Sequence, residues 1–179
     1  MVRILSYAVV FILCVTSCYA VKVVNVDAIC KNVTDYTFCS NLLNAKPGKS
    51  RDLVSLTQYT IDALRVNVTN TVKLLDSLIA HSGSNFNLTY HYNMCSELFG
   101  IQKGALHTFE DVDKLFKTGD YESVVESMKT IQFDAFICLS GESPSDPPYE
   151  DTSVLPKYVN VVNLVAEIII RMLSYVINT

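Results

Sequence analysis

The sequence predicts an all-α protein, a four-helix up-and-down bundle preceded by a helical hairpin and held by two disulfides. Around two breaker-rich loops, at 46–50 and 141–148, apolar residues recur at steps of three and four, the period of an amphipathic helix. Strand patterns are nearly absent, since the β-branched run at 21–24 is short. Beyond residue 20 the chain has four cysteines, an even number that suits disulfides in an exported protein.

Residues 1–20 have the features of a signal peptide. Arg3 supplies a positive start, an apolar run follows, and Ala20 is a small residue at the expected cleavage point. The apolar run is shorter than the roughly 20 residues that a membrane-spanning helix needs. We therefore expect a secreted chain whose mature part, residues 21–179, forms a single domain.

The first segment of this mature part, residues 25–45, is predicted to form a short helical hairpin outside the bundle. Cys30 and Cys39 lie nine residues apart, on either side of a turn near Thr34. A hairpin of this length brings the two cysteines together, so their disulfide would tie its two arms.

The bundle is predicted over residues 50–179 and begins with a long helix at 52–81. Ser50 suits its N-cap, and Gly83 follows its end, where glycine is common. One face of this helix carries a stripe of apolar or small residues for the core: Leu53, Leu56, Thr60, Leu64, Val68, Val72, Leu75 and Leu78.

Three further helices complete the predicted bundle, at 87–117, 120–139 and 153–177. The first of these is predicted as one continuous helix. Gly100 and Gly104 lie inside it and weaken it by about 1 kcal/mol each relative to alanine. Its apolar stripe nevertheless continues on both sides of the glycines.

The last two helices have clear start signals. Asp120 is the expected N-cap of the third bundle helix, and Ser153 is the expected start of the fourth. Glu167 and Arg171 are spaced as an i,i+4 ion pair on the fourth helix. Because two charges interrupt this final apolar stretch, we expect no membrane span in the mature protein.

Four mature cysteines allow three pairings, and the topology selects one of them. Cys95 lies early on the second bundle helix and Cys138 late on the third, so antiparallel packing brings them level. The predicted disulfides are therefore Cys30–Cys39 and Cys95–Cys138. A zinc site would need closely spaced cysteines or histidines near them, and neither pattern is present.

Composition and motifs argue against several functions. Without Arg3 the chain has 13 basic and 18 acidic residues, a net charge of −5, and no basic cluster, so we expect no nucleic-acid partner. His81, His91 and His107 lack metal-ligand spacing, and no nucleophile elbow or phosphate loop occurs. The sequence therefore predicts a binding protein without catalytic residues, metal or cofactor.

Three N-x-S/T sequons are present, at Asn32, Asn67 and Asn87. Each is a candidate N-glycosylation site in an exported chain.

Several short motifs together resemble the plant invertase and pectin methylesterase inhibitor family. The resemblance covers nearly all of the mature chain. It rests on the four-cysteine spacing, the signal peptide, a cysteine-bounded hairpin that ends in leucines, and a Leu-x-x-Gly-Asp-like joint before the third bundle helix. The matching segments are Cys30-Lys31-Asn32, Tyr36-Thr37-Phe38-Cys39-Ser40-Asn41-Leu42-Leu43, Cys95, Leu115 to Asp120, and Cys138.

The resemblance implies the same fold and a function in protein–protein inhibition. One branch of the family blocks acid invertases of the cell wall or vacuole. The other caps the substrate cleft of pectin methylesterase in a one-to-one complex through bundle helices. The resemblance therefore implies a secreted, monomeric enzyme inhibitor that acts in the plant cell wall, with the vacuole as the alternative compartment.

The residues after Gly119-Asp120 favour one branch. Invertase inhibitors of this type carry Pro-Lys-Phe at this point, and the tripeptide enters the target's active site. Here the tripeptide is Tyr121-Glu122-Ser123, which reverses the lysine's charge and lacks the phenylalanine. We therefore expect pectin methylesterase as the target and acid invertase as the alternative. The Cys-Lys-Asn and Tyr-x-x-Cys motifs of the hairpin are more similar to the invertase branch.

The candidate contact face is the polar side of the first two bundle helices, with Asn70, Lys73, Asp76 and Gln102, besides the tripeptide at 121–123. Two other functions remain open at this point. A small-ligand carrier would need a large internal cavity between the helices, and a structural or signalling protein of the cell wall would form no complex with either hydrolase.

Overall fold

The computed structural model describes residues 25–48, 52–141 and 149–177, and these ranges contain helices but no β-strand. The all-α prediction is confirmed. The predicted signal peptide, the predicted cap Ser50 and most of the second loop lie outside the described residues. The helices are α1 (Val26–Cys30), α2 (Tyr36–Asn44), α3 (Leu53–His81), α4 (Phe86–Phe99), α5 (Ala105–Thr118), α6 (Tyr121–Ser140) and α7 (Leu155–Ile177).

Short polar side chains begin most of these helices. Each accepts a hydrogen bond from a backbone N–H of the first turn, which would otherwise lack a partner. The Asp120 carboxylate accepts from the Ser123 N–H, as predicted. The predicted cap Ser50 is wrong, because Asp52 begins α3 and accepts from the Ser55 N–H at 2.8 Å. The other capping residues of this kind are Asn25, Asp35 and Asn85.

The single helix predicted at 87–117 is wrong: two helices, α4 and α5, occupy this stretch. Gly100 ends α4 in an extended conformation, and Gly104 begins α5. A Cβ atom on Gly104 would overlap the backbone oxygen of Leu98, so only glycine permits this close passage. The two glycines therefore form a sharp turn rather than weak points inside one helix.

The bundle has four arms: α3, the α4–α5 pair, α6 and α7. Neighbouring arms pack in the order of the chain, and α7 closes the bundle against α3. Fully buried side chains from every arm fill its interior, among them Leu64, Phe99, Met128, Ile131 and Ile169. This arrangement confirms the predicted four-helix bundle.

The hairpin of α1 and α2 packs on the outside of α3 and α7 over a second apolar cluster. Ile29 and Leu43 of the hairpin are buried there against Leu56 and Met172 of the bundle. The hairpin is therefore a packed part of the fold, and its own core is continuous with two bundle helices.

The predicted ion pair between Glu167 and Arg171 is wrong, because both side chains bind the hairpin turn. Glu167 Oε1 accepts hydrogen bonds from the Thr34 N–H and hydroxyl, at 3.0 and 3.1 Å. Arg171 donates from Nε and Nη2 to the Asn32 carbonyl, at 3.1 and 2.9 Å. One turn further along α7, the Tyr175 hydroxyl donates to the carbonyl of Ala28. These three α7 residues, Glu167, Arg171 and Tyr175, form what we call the hairpin clamp.

Both predicted disulfides are present. Cys30–Cys39 joins α1 to α2, and Cys95–Cys138 joins α4 to α6, with Cα–Cα distances of 5.6 and 5.0 Å. All four cysteines are fully buried. The first bond closes the hairpin, and the second fixes the relative level of two bundle arms.

Helix α7 is long and apolar enough to cross a membrane by length and composition, with a mean hydropathy of 1.6 over an 18-residue window. In this structure 44% of that window is buried inside the protein. Val159, Val165 and Ile169 of α7 belong to the bundle core. Its apolar character is that of a core helix.

Candidate target-binding surfaces

The joint between α5 and α6 is a tight corner built by two residues. Gly119 has a left-handed backbone, with φ of 79°, and its N–H bonds to the carbonyls of Leu115 and Phe116. The Asp120 carboxylate then accepts from both the N–H and the hydroxyl of Ser123, at 3.2 and 2.8 Å. Glycine suits the left-handed backbone at 119, and aspartate suits the N-cap at 120.

The predicted tripeptide Tyr121-Glu122-Ser123 forms the first turn of α6, and its three side chains differ in availability. The Tyr121 ring packs against Phe116, with 5.4 Å between ring centroids, and Ser123 bonds to the cap. Only Glu122 is exposed, and no described residue pairs with it. The corner therefore presents one free carboxylate and no protruding aromatic or cationic side chain.

A second surface lies on α3. Asn70, Lys73 and Asp76 are exposed at steps of three residues, and none of them has a hydrogen-bond or ion-pair partner among the described residues. We call this the α3 face. Polar groups that the fold leaves unpaired are free to bond to another molecule.

Gln102 was predicted to lie on a helix, but it lies in the turn between α4 and α5. It is exposed and lines a surface depression of about 330 Å³. The other lining residues belong to the same turn and to the end of α4: Ser96, Glu97, Gly100, Ile101 and Lys103. This depression lies outside the bundle interior, which buried side chains fill.

The corner and the α3 face lie at different levels of the bundle. Lys73 is eight residues before the end of α3, and Cys95 is nine residues after the start of α4, so Lys73 is near the level of the Cys95–Cys138 disulfide. Tyr121 is 17 residues before Cys138, about 25 Å away along α6 at 1.5 Å per residue. The structure therefore does not bring the two predicted sets of residues together.

One polar contact that sequence reasoning missed joins α3 to α5. Arg65 Nη2 lies 2.9 Å from Asp113 Oδ1, and its guanidinium lies 5.2 Å from the centroid of the Phe109 ring. Arg65 and Asp113 are 48 positions apart in the sequence, so no local spacing predicts the pair. The contact removes Arg65 from the groups that α3 offers to a partner.

A second missed contact joins the start of α7 to α4. The carboxylate of Asp151 is almost fully buried, with Oδ2 3.6 Å from His91 Nε2 and Oδ1 accepting from the Ser153 N–H at 2.8 Å. Tyr149 stacks on His91, with 4.5 Å between ring centroids. Burial lowers the pKa of His91, and Asp151 opposes part of this effect.

The three sequon asparagines lie on different elements. Asn32 is exposed in the turn between α1 and α2, Asn67 is partly buried in the middle of α3, and Asn87 is exposed in the first turn of α4. Among the described residues, no group of three or more histidine, cysteine or acidic side chains is placed to hold a metal ion.

The fold and these surfaces define a disulfide-stapled helical bundle whose available polar groups lie on its outside. The family model of the plant invertase/pectin methylesterase inhibitors matches residues 24–165. The chain therefore belongs to the plant invertase/pectin methylesterase inhibitor family.

Solved structures share the fold. One, a mutant form of a pectin methylesterase inhibitor from Arabidopsis, superposes with a TM-score of 0.70 at 20% identity, over 82% of this chain and 93% of that one. Another, a pectin methylesterase inhibitor from Arabidopsis thaliana, gives a TM-score of 0.60 at 19% identity, over 83% and 93%. A comparison with curated protein sequences gave no match.

Proposed function

We propose that this protein is a secreted inhibitor of pectin methylesterase that occludes the enzyme's substrate cleft in a one-to-one complex. Membership of the inhibitor family supports the general function, an inhibitor of a cell-wall enzyme. The two fold relatives described above are themselves pectin methylesterase inhibitors. Residues 1–20 would direct the chain to the cell wall, where a monomer without cofactor meets its target.

The α5–α6 corner is the observation that carries the choice of target. An inhibitor of the invertase branch would present a lysine and a phenylalanine there. In this protein Tyr121 lies against Phe116 and Ser123 is bonded to the Asp120 cap, so only the Glu122 carboxylate is available. Replacing an anchor side chain in a buried pocket commonly costs 2 kcal/mol or more, roughly a thirtyfold loss of affinity.

The α3 face is the contact surface in this proposal. Lys73 lies between Asn70 and Asp76, so the face offers a cation, a carboxylate and an amide in a row, and none of them is paired with a residue that the structure describes. Such groups suit the polar cleft of an enzyme that binds a polysaccharide rich in hydroxyl and carboxyl groups. Gln102, at the α4–α5 turn, would extend the contact toward the second arm.

A small-ligand carrier is the less supported function. Such a protein would hold its ligand between the helices, but Phe99, Met128 and Ile131 are fully buried in that space. The depression at the α4–α5 turn is lined by polar residues as well as by Ile101 and opens on the surface.

The mature protein should be tested against plant pectin methylesterase and against acid invertase at mildly acidic pH. We expect inhibition of the esterase and no inhibition of the invertase. Inhibition of invertase alone would assign the protein to the other branch, and full activity of both enzymes at a molar excess of the protein would refute the proposal.

A pair of charge reversals tests the contact surface. Lys73→Glu should weaken esterase inhibition at least tenfold, because it places a like charge beside Asp76 and removes the only cation of the α3 face. Lys157→Glu makes the same change of net charge at an exposed lysine on α7 and should leave inhibition unchanged. Equal effects of the two substitutions would place the contact elsewhere.

A further inference from the structure

We infer that Asn87 carries an N-linked glycan in the secreted protein and that the first sugars of this glycan cover the exposed ring pair Phe86 and Tyr90. The inference rests on the export proposed for the chain. It does not depend on which enzyme the protein inhibits.

The ring pair is an apolar patch that the described part of the chain leaves largely exposed. The Phe86 side chain is 79% exposed and that of Tyr90 57% exposed. The rings stack on each other, with 6.5 Å between centroids and 21° between planes. At 100° per residue both lie on the side of α4 that faces away from Cys95, so no bundle helix packs on them. Two large aromatic side chains in water are an unfavourable arrangement unless something covers them.

Asn87 lies beside these rings. It directly follows Phe86 and is three positions before Tyr90, so its side chain and the Tyr90 ring are neighbours on the helix surface. Asn87 is exposed, and no described residue bonds to its side chain. A sugar linked to its amide would therefore begin within reach of both rings without breaking a contact of the fold.

The asparagine side chains of the other two sequons are engaged in hydrogen bonds of the fold. The Asn67 amide donates to the Ala63 carbonyl at 2.8 Å and is partly buried within α3. The Asn32 amide donates to the Ala28 carbonyl and to the Tyr175 hydroxyl, at 3.2 and 3.3 Å. A glycan on either nitrogen replaces one of its two hydrogens and crowds these partners. At Asn32 it would also stand beside the hairpin clamp.

The chemistry of attachment is a simple group transfer. The Asn87 Nδ2 atom forms a bond to the anomeric carbon of an N-acetylglucosamine, and the bond from that carbon to the diphosphate of a lipid-linked oligosaccharide breaks. The lipid diphosphate leaves with the bonding electrons, and the amide gives up one proton.

The apolar C–H face of the linked sugar is the occupant that the ring pair fits. Pyranose rings present axial hydrogens on one face, and such hydrogens pack on aromatic rings as weak donors. The glycan thus accounts for the exposed sequon and the exposed rings at the same time.

The experiment uses the full chain secreted from cultured plant cells. Peptide mapping after enzymatic deglycosylation in heavy-oxygen water marks each formerly occupied asparagine as aspartate. We expect the label at Asn87. The variant Asn87→Gln should lose the mass of one glycan, whereas Thr89→Ser, which keeps the sequon, should not. Asn67→Gln and Asn32→Gln are matched controls that should leave the occupancy of Asn87 unchanged.

Thermal unfolding tests the covering of the rings. Removing the glycan from the native protein should lower its melting temperature by a few degrees, and this difference should disappear in the variant Phe86→Ala/Tyr90→Ala. An unoccupied Asn87 in secreted protein overturns the inference. An equal effect of deglycosylation with and without the rings overturns the stacking.

Failure of export is a separate outcome. If the chain stays inside the cells without a glycan, the inference fails together with the proposed signal peptide. Inhibition by protein refolded without glycan, assayed on the same enzymes, tests the proposed function independently of either result.

Discussion

Asp134 is a partly buried carboxyl on α6 that has neither a hydrogen bond nor an ion pair among the described residues. Burial raises its pKa from 3.8 to about 6. Since the folded pKa is above the unfolded one, the protonated group stabilises the fold below pH 3.8, and this contribution is lost as the pH rises through about 6.

The substitution Asp134→Asn should therefore stabilise the protein at pH 7 and leave its stability nearly unchanged at pH 4. We expect a gain of about 1 kcal/mol at neutral pH, a figure that allows for the partial exposure of the group. Denaturant unfolding at both pH values measures it. Glu122→Gln removes an exposed carboxylate of the same helix and is the control. The expectation would be contradicted if the free energy of unfolding of Asp134→Asn had the same pH dependence as that of the wild type.

His91 changes the pH dependence of stability in the opposite sense to Asp134. Its pKa lies below the usual 6.5 because burial disfavours the charged imidazole, although Asp151 raises the pKa in part. The unfolded chain then binds a proton at higher pH than the folded one, so His91 costs stability as the pH falls below 6.5.

An NMR titration of the His91 ring should show a pKa below 6.5, and Asp151→Asn should lower this pKa further. The asparagine keeps an oxygen for the Ser153 N–H, so the start of α7 is preserved. An unchanged or raised pKa in this variant would show that the carboxylate does not act on the imidazole.

At the scale of elements, the α4–α5 turn depends on one position. Gly104→Ala should destabilise the protein by about 3 kcal/mol, because its Cβ would overlap the Leu98 carbonyl. Gly83→Ala is the matched control, since Gly83 has a left-handed backbone but no atom within 4 Å of the added Cβ, and its cost should be about 1 kcal/mol. If the two variants lost similar amounts of stability, α4 and α5 would be able to move apart.

The hairpin clamp should decide how firmly the hairpin is held. Arg171→Ala removes two charge-assisted hydrogen bonds to the Asn32 carbonyl and should cost about 1.5 to 3 kcal/mol. Amide hydrogen exchange should rise in residues 26–45 and stay unchanged in α6. The control Lys157→Ala truncates an exposed side chain of α7 and should alter neither region. Uniform acceleration through the bundle would contradict a local clamp.

The α4–α5 turn and the hairpin clamp show most clearly which features the sequence alone could not predict. The helical period and the cysteine spacing predict the bundle, the hairpin and both disulfides, because each depends on residues close in sequence or on simple antiparallel order. The break at Gly104 depends on the approach of the Leu98 carbonyl, which only the folded chain reveals. The i,i+4 spacing of Glu167 and Arg171 predicts a pair, but a turn more than 130 residues away bonds to both.

The exposed members of the candidate set, Asn70, Lys73, Asp76, Gln102 and Glu122, were predictable as exposed polar positions but not as one surface. The spacing of Asn70, Lys73 and Asp76 predicts a shared face on α3. The separation of that face from the 121–123 tripeptide follows from the level at which Cys95–Cys138 fixes the arms. The contact of the Tyr121 ring with Phe116 depends on packing across the corner, so sequence alone could not rank the three residues of the tripeptide.

For the whole molecule, we propose that a disulfide-stapled bundle acts by occluding the cleft of another protein. The two disulfides close loops of different length, and the chain-entropy model gives about 2.7 kcal/mol for Cys30–Cys39 and about 4 kcal/mol for Cys95–Cys138. Cys95–Cys138 therefore contributes more to stability, because it closes the longer loop in the unfolded chain.

Titration of a fixed amount of pectin methylesterase with the mature protein is the decisive test of cleft occlusion. We expect residual activity to fall linearly and to reach its minimum at one inhibitor per enzyme, with a complex of the same stoichiometry on gel filtration. Full esterase activity at a molar excess of folded, oxidised protein, with no complex on the column, would contradict it.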